Sequence, residues 1–182
     1  MSRNIHITDS QFRTLMESVG DPYNIKGVYH VSKENFEEFR NDVNFDYLFF
    51  SSKPISLMGA DYVYVCNLSM HKPFVFKDGT SWSYPLWLYL SDRNGLLVPE
   101  EQFTPENYDG YLGCPYELWK AVYYDDSEYS LDELPGLVKG LNLGYDGVII
   151  ENIDEGDTSI TVDDYIVFSP SQVEIVKKYM RQ

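Results

Sequence analysis

The sequence predicts an α+β domain, with helices early in the chain and most strands late. Its 182 residues suffice for one hydrophobic core, so we expect a single domain over residues 1–182. Apolar residues make up 43% and charged residues 24%, which is typical of a folded globular protein and excludes wholesale disorder. The predicted strands and helices do not alternate regularly, which favours an α+β sheet over a doubly wound one.

Three helices are predicted, each from a capping residue followed by apolar side chains at helical spacing. They are residues 8–19, a short helix from Ser32 with Phe36 and Phe39 facing inward, and residues 130–141. In the first helix, Thr8 and Gln11 form a capping box. In the third, Ser130 and Glu133 form another, although Pro135 could instead be the first helical residue.

Strands are predicted where β-branched and aromatic residues cluster between turn residues. They cover residues 27–31, 47–50, 62–68, 147–151, 160–162, 165–168 and 173–176. Residues 73–76 are expected to continue the third of these strands beyond a bulge. Between about residues 77 and 129 the chain is rich in aromatic residues and proline, which we interpret as an insertion with short helices that faces an acceptor or a partner.

The charge of the chain limits its partners. A formal net charge of -15 and a pI of about 4.4 disfavour binding to a nucleic-acid backbone, because the phosphates would be repelled. Residues 125–164 alone hold twelve acidic residues against one basic residue. This segment is either a solvated acidic surface that keeps the protein soluble or a surface that attracts a basic partner.

Neither a membrane nor a metal is expected as a partner. Residues 1–10 are polar and no apolar stretch reaches the length of a bilayer span, so a cytoplasmic protein is predicted. Cys66 and Cys114 match no metal-ligand or redox spacing and are expected to be reduced, buried thiols. The sequence also lacks the motifs of zinc peptidases, serine hydrolases, P-loop proteins and Rossmann folds.

His30 is the histidine with the clearest sign of a function. It stands at the end of a predicted strand, directly before a helix cap, where side chains commonly face a ligand crevice. It also belongs to the first of four segments whose order along the chain is informative. These segments read YHVS from Tyr29, FFSSKP from Phe49, GYDGVII from Gly144 and DYIVFSPSQV from Asp164.

Together the four segments resemble the ADP-ribosyltransferase superfamily, and most of all its small members from phages and other mobile elements, including the domain found in polyvalent proteins. The resemblance covers residues 27–68 and 132–176. It implies a split pair of small antiparallel sheets with peripheral helices and with NAD in the crevice between the sheets. It also implies a mono-ADP-ribosyltransferase that cleaves NAD between nicotinamide and ribose and transfers ADP-ribose to a macromolecule in the host cytoplasm.

The resemblance assigns several residues to NAD binding. They are His30, Tyr29, Ser32, Ser51, Ser52 and Tyr62. His30 corresponds to the residue that hydrogen-bonds the adenosine-side ribose. Ser51 and Ser52 correspond to the serine motif that shapes the nicotinamide pocket. Tyr62 is the aromatic residue available to stack on nicotinamide, since residues 55–61 contain no aromatic side chain.

Asp164 stands at the position of the family's catalytic carboxylate. Loss of nicotinamide leaves an oxocarbenium-like ribose, and a fixed carboxylate stabilises the positive charge that develops. Nicotinamide leaves as a neutral base, so no general acid is needed. Asp163 is the alternative catalytic residue, because a one-residue slip in strand register would turn it into the crevice instead. Val162 stands where arginine-modifying relatives carry Glu or Gln, so arginine is not the expected acceptor.

Two other functions fit the same sequence. The first is a catalytically inactive ADP-ribosyltransferase fold that acts as an acidic binding or inhibitor module, which is supported by an Asp where the family usually has a longer side chain. The second is a plain NAD glycohydrolase, which would release free ADP-ribose. NAD is the substrate of either enzyme, and a basic host protein is the expected partner of the transferase or the module.

Overall fold

Seven strands and two α-helices make up the described part of the chain, which confirms the predicted α+β class. The computed structural model describes residues 23–40, 47–55, 60–77, 115–124, 129–154 and 160–181. The helix predicted at residues 8–19, Cys114 and most of the aromatic insertion lie outside the described residues. None of the helices within these ranges is long and apolar enough to cross a membrane.

The elements follow one another along the chain with few helices between strands. The strands are β1 (Tyr23–Ser32), β2 (Leu48–Ser51), β3 (Tyr62–Met70), β4 (Pro73–Phe76), β5 (Gly147–Asp154), β6 (Thr161–Val167) and β7 (Val173–Met180). The helices are α1 (Tyr116–Tyr124) and α2 (Leu134–Gly140). Short 3-10 turns at Leu131–Glu133 and Pro170–Gln172 lead into α2 and β7.

All seven strands belong to one sheet, in the order β4-β5-β6-β2-β1-β3-β7. Neighbouring strands are antiparallel except β4 and β5, which run parallel. β1 and β2 meet at one paired position, Tyr29 opposite Ser51, and we call this boundary the seam. The pairing of β1 with β3 and of β2 with β6 extends along the strands. The seam therefore divides the sheet into a four-stranded half and a three-stranded half.

Each face of the sheet carries its own apolar core, because side chains alternate between the two faces along a strand. On one face, Ile166 and its neighbours pack with apolar residues of α1 and α2, and we call this the helix face. On the other face, Phe50 and Tyr64 pack with residues 33–40. We call this the histidine face, because the His30 ring contacts Phe50 and Tyr64 there.

Residues 33–40, which we call the pocket loop, do not form the helix predicted after Ser32. The inward packing predicted for the two phenylalanines of this segment is confirmed, but its backbone is irregular. The Tyr64 hydroxyl accepts a hydrogen bond from the Phe36 N–H at 2.9 Å and donates one to the Glu34 carbonyl at 3.0 Å. The prediction of a helix was wrong because these tertiary bonds engage backbone groups that the first helical turn would use.

The prediction that residues 73–76 continue the third strand was also wrong. They form β4, which runs parallel to β5 after a turn at residues 71–72. The Asp146 carboxylate fixes this turn, since it accepts hydrogen bonds from the N–H groups of His71 at 2.6 Å and Lys72 at 2.9 Å. The turn therefore sends the chain to the far edge of the sheet instead of along β3.

The GYDG segment from Gly144 and the SPSQ segment from Ser169 are joined by a side-chain hydrogen bond. The Gln172 side chain donates to the Asp146 carbonyl at 2.9 Å and accepts from the Ser169 N–H at 2.9 Å, so it ties the two segments together. Glycine is required at position 147 because the backbone of β6 lies very close to it. A Cβ atom there would be 2.6 Å from the Ile166 carbonyl oxygen.

Three further predictions can be compared with the structure. The two short strands predicted at residues 160–162 and 165–168 are one strand, β6. The capping box of Ser130 and Glu133 is confirmed, and it opens the 3-10 turn before α2, with Pro135 in the first turn of that helix. Cys66 is a buried thiol, as predicted, and burial raises its pKa to about 12.

Candidate functional site

His30 lies near the end of β1, at the seam, among aromatic rings. Its ring centre is 5.0 Å from that of Phe39 and 5.6 Å from that of Phe50. Nδ1 lies 2.8 Å from the carbonyl oxygen of Phe49, on the other side of the seam. A carbonyl oxygen only accepts hydrogen bonds, so Nδ1 carries the proton and Nε2 of the neutral ring is an acceptor. Burial lowers the pKa of His30, against a smaller opposite effect of the Phe49 carbonyl, so the ring is neutral at neutral pH.

A pocket of about 1130 Å³ opens beside His30 on the histidine face. Its walls include Ser32, Leu48 and the rings of Phe36 and Phe39, and the pocket loop adds charged side chains of both signs. Small-molecule sites usually measure about 300–1,000 Å³ and combine apolar walls with a few polar groups. The pocket is therefore large enough for a ligand of dinucleotide size and offers it both stacking surfaces and hydrogen-bonding groups.

The neighbouring carboxylates of Asp163 and Asp164 lie on opposite faces of the sheet. Asp164 is paired with Ser51 on one side and with Ile150 on the other, and opposed residues of an antiparallel ladder share a face. Since Ile150 belongs to the core of the helix face, Asp164 lies there too, with 4% of its surface exposed. Asp163 alternates with it and is half-buried on the histidine face.

A β-bulge in β5 aims a backbone N–H at the Asp163 carboxylate. The register shifts between Ile150 and Ile153, so two residues of β5 oppose Asp163. One of the two is Asn152, which has a φ of 60° and donates its N–H to Asp163 Oδ1 at 3.0 Å. Bulges are common next to active sites, where they re-aim a group, and here the bulge fixes the orientation of a carboxylate.

The Tyr165 phenol lies close enough to the Asp163 side chain to interact with its charge. It lies two residues further along β6 and therefore on the same face. Burial raises the pKa of Tyr165, and the negative charges of Asp163, Glu151 and Asp164 raise it further. The phenol therefore stays protonated at neutral pH and adds no negative charge beside the Asp163 carboxylate.

The serine pair is divided between the faces as well. The Ser52 N–H donates to the Asp163 carbonyl at 2.8 Å, and Ser52 Oγ accepts from the Asp163 N–H at 2.9 Å. Ser52 thus lies beside Asp163 on the histidine face. Ser51 lies opposite Asp164 on the helix face, with 6% of its surface exposed, and its hydroxyl makes no hydrogen bond within the described part of the chain.

The predicted site residues therefore form two groups. On the histidine face lie His30, Ser32, Ser52, Tyr62 and Asp163, and on the helix face lie Tyr29, Ser51 and Asp164. A strand spacing of about 4.8 Å and a rise of about 3.4 Å per residue put the Cα atoms of His30 and Asp163 about 12 Å apart. The histidine face thus holds the acceptor Nε2 of His30 and the carboxylate of Asp163 at the two ends of one extended surface.

Three contributors to the site escape prediction from the sequence: Tyr64, Asn152 and Tyr165. Tyr165 belongs to the segment DYIVFSPSQV, but its neighbours in the sequence do not indicate a role for it. Asn152 does carry a signal, because Asn is disfavoured in strands and tolerates a positive φ, which together indicate a bulge. Tyr64 has no such signal, because its hydroxyl accepts a hydrogen bond from the N–H of Phe36, which lies 28 residues away in the sequence.

Within the described ranges, no group of three or more His, Cys, Asp or Glu side chains is arranged to hold a metal ion. Comparisons with protein-family models, with curated proteins and with solved structures give no match. A functional assignment for this chain therefore depends on the motifs in its sequence and on the geometry described above.

Proposed function

We propose that the protein is a mono-ADP-ribosyltransferase that binds NAD on the histidine face, cleaves it between nicotinamide and ribose, and transfers ADP-ribose to a macromolecule in the host cytoplasm. One observation carries this proposal. A neutral His30 in the wall of the large pocket shares a face with an anchored carboxylate, that of Asp163. The segments that contain or adjoin these residues resemble ADP-ribosyltransferases, so motif and geometry favour the same ligand.

His30 suits the adenosine-side ribose of NAD. Its Nδ1–H is engaged by the Phe49 carbonyl, so Nε2 is the atom that accepts a hydrogen bond from a ribose hydroxyl. Phe36 and Phe39 lie beside the imidazole in the pocket wall and offer aromatic surface on which adenine stacks. The pyrophosphate then carries the ligand along the histidine face toward Asp163, about 12 Å away.

Asp163 suits the nicotinamide-side ribose. When the bond between ribose C1′ and the nicotinamide nitrogen breaks, both electrons go to the nitrogen, and nicotinamide leaves neutral. The ribose becomes an oxocarbenium-like cation, which a fixed carboxylate stabilises. The acceptor nucleophile then bonds to C1′ and loses its proton. Because the Asn152 N–H already holds the carboxylate, little reorganisation accompanies the reaction.

The proposal gives the catalytic role to Asp163 and a structural one to Asp164. A catalytic carboxylate must touch the substrate, and Asp164 is buried on the face that the helices cover. A dinucleotide would have to displace part of that core to reach it. Asp163 is half-buried beside Ser52, and its carboxylate is reached without such a displacement.

The seam supports an ADP-ribosyltransferase-like arrangement of two small sheets. β1 and β2 pair at one position, and His30 connects them through its hydrogen bond to Phe49. We infer that the two halves of the sheet correspond to the two small sheets of that fold, with NAD bound next to the boundary between them.

Incubation of the protein with host extract and NAD labelled in the adenine ring tests the proposal. We expect nicotinamide release together with transfer of the label to a macromolecule. Free ADP-ribose as the only product would identify a glycohydrolase instead. Absence of nicotinamide release and of NAD binding by calorimetry would exclude both enzymes. The inactive-module alternative predicts a stoichiometric host partner that is still captured by the His30→Ala and Asp163→Ala variants.

A further inference from the structure

The pocket loop is attached to the sheet by side chains of other strands. Its own backbone forms neither helix nor strand. Tyr64 on β3 supplies one attachment, because its hydroxyl bonds both Glu34 and Phe36. The Tyr64 and Phe36 rings also stack, with centres 4.1 Å apart and planes 6° from parallel. This attachment fixes the loop where it passes over β3.

Lys178 on β7 supplies a second attachment. Its ammonium nitrogen donates to Asn35 Oδ1 at 2.8 Å, to the Phe36 carbonyl at 3.1 Å and to Glu37 Oε1 at 2.5 Å. These bonds use all three ammonium hydrogens. The Glu37 side chain is 88% exposed and that of Lys178 only 24%, so the ion pair contributes little and the amide and carbonyl bonds matter more. Lys178 is paired with Tyr64 across the sheet, so both attachments lie in one row.

The loop in turn positions His30. The rings of Phe36 and Phe39 meet the imidazole edge-on, with centres 6.1 and 5.0 Å from its own. Both phenylalanines also line the pocket. A displacement of the loop would therefore remove two of the rings that orient the imidazole and one wall of the pocket.

We propose that Lys178 is a positioning residue of the NAD site: its ammonium group holds the pocket loop, and the loop holds the His30 imidazole toward the ligand. The inference rests on the proposed function for the identity of that ligand. Asp163 lies on β6, in the other half of the sheet, and its carboxylate is held by the Asn152 N–H of β5. Loss of the Lys178 bonds should therefore weaken NAD binding without slowing bond cleavage.

Lys178→Met tests the inference, because it keeps the apolar stem and removes the three donors. We expect KM for NAD to rise about tenfold with kcat unchanged within about twofold, since the substitution affects the loop and leaves the carboxylate in place. Hydrogen exchange at the Phe36 amide should accelerate about tenfold as the loop detaches. Lys178→Arg, which keeps the charge and several donors, should recover part of the affinity.

Lys177→Met is the matched control. Lys177 precedes Lys178 on β7, is exposed, and is paired with Val65, which puts it on the other face. We expect KM and Phe36 exchange to be unchanged in this variant, with circular dichroism confirming that each variant is folded.

Equal effects of the two variants, a fall in kcat at unchanged KM, or unaltered Phe36 exchange in Lys178→Met would overturn the inference even where NAD is cleaved. Failure of the unsubstituted protein to bind NAD would overturn the proposed function instead. In that case the exchange measurement still decides whether Lys178 holds the loop.

Discussion

Asp163→Asn is expected to slow nicotinamide release from NAD at least about a hundredfold while changing KM by no more than a few-fold. Asparagine has nearly the same shape, and its amide oxygen can still accept the hydrogen bond from the Asn152 N–H. The substitution therefore removes mainly the negative charge that stabilises the ribosyl cation. Loss of a preorganised group of this kind typically costs about 10²–10³ in kcat. The initial rate of nicotinamide release at saturating NAD measures the effect.

Asp164→Asn is the matched control, since it makes the same chemical change one residue further along β6. Asp164 is buried on the helix face, so we expect kcat to change by less than about threefold and the main effect to fall on the free energy of unfolding. A large loss of kcat in Asp164→Asn with little in Asp163→Asn would mean that the substrate approaches the helix face, and it would reverse the assignment.

His30→Phe is expected to weaken NAD binding about tenfold or more. Phenylalanine fills the same place beside Phe39 and Phe50 but offers neither the N–H that bonds the Phe49 carbonyl nor an acceptor for a ribose hydroxyl. A lost hydrogen bond of about 1.4 kcal/mol corresponds to a factor of about ten in the dissociation constant. Calorimetric titration with NAD measures this constant, and an unchanged value would show that the imidazole serves only the packing of the cluster.

NAD affinity should also depend on pH through His30. Burial lowers the pKa of this residue below 6.5, so the ring is neutral and the affinity flat between about pH 6.5 and 8. As the pH falls through the lowered pKa, Nε2 becomes protonated and can no longer accept a hydrogen bond, so the affinity falls. The free energy of unfolding should also fall as the pH falls, because the unfolded chain takes up this proton near pH 6.5 and the folded chain only at lower pH. His30→Phe should abolish both effects.

Much of the sheet could be predicted from the sequence, because its strands are short runs of β-branched and aromatic residues between turn residues. The predicted strands at residues 147–151 and 173–176 lie inside β5 and β7, which are longer. The capping box at Ser130 could also be predicted from the sequence, because all its groups lie within four residues. Local signals of this kind are present in the sequence itself.

The pocket loop could not be predicted in the same way. Ser32 and the spacing of the phenylalanines favour a helix locally, and nothing nearby opposes it. The groups that decide the conformation are the Tyr64 hydroxyl, 28 residues from Phe36, and the Lys178 ammonium, 142 residues from it. Tertiary bonds from such distant residues override local helix propensity.

The choice between Asp163 and Asp164 depends on strand alternation and register. Val162, Asp164 and Ile166 share one face of β6 and are all buried, whereas Asp163 and Tyr165 on the other face are half-buried. The resemblance to a family motif favours Asp164, because such a comparison matches positions along the chain. It contains no information on strand pairing or on the bulge at Asn152. Only the pairing of β6 with β2 and β5 reveals which carboxylate faces the pocket side.

Nuclear Overhauser effects between NAD and protein side chains test most directly the central claim that NAD binds on the histidine face. The Asp163→Asn variant is suitable, because we expect it to bind NAD and cleave it slowly. We predict contacts from the adenine and ribose protons to the ring protons of His30, Phe36 and Phe39. Contacts to the methyl groups of Ile150 and Ile166 on the helix face, or no contacts at saturating NAD, would contradict the claim.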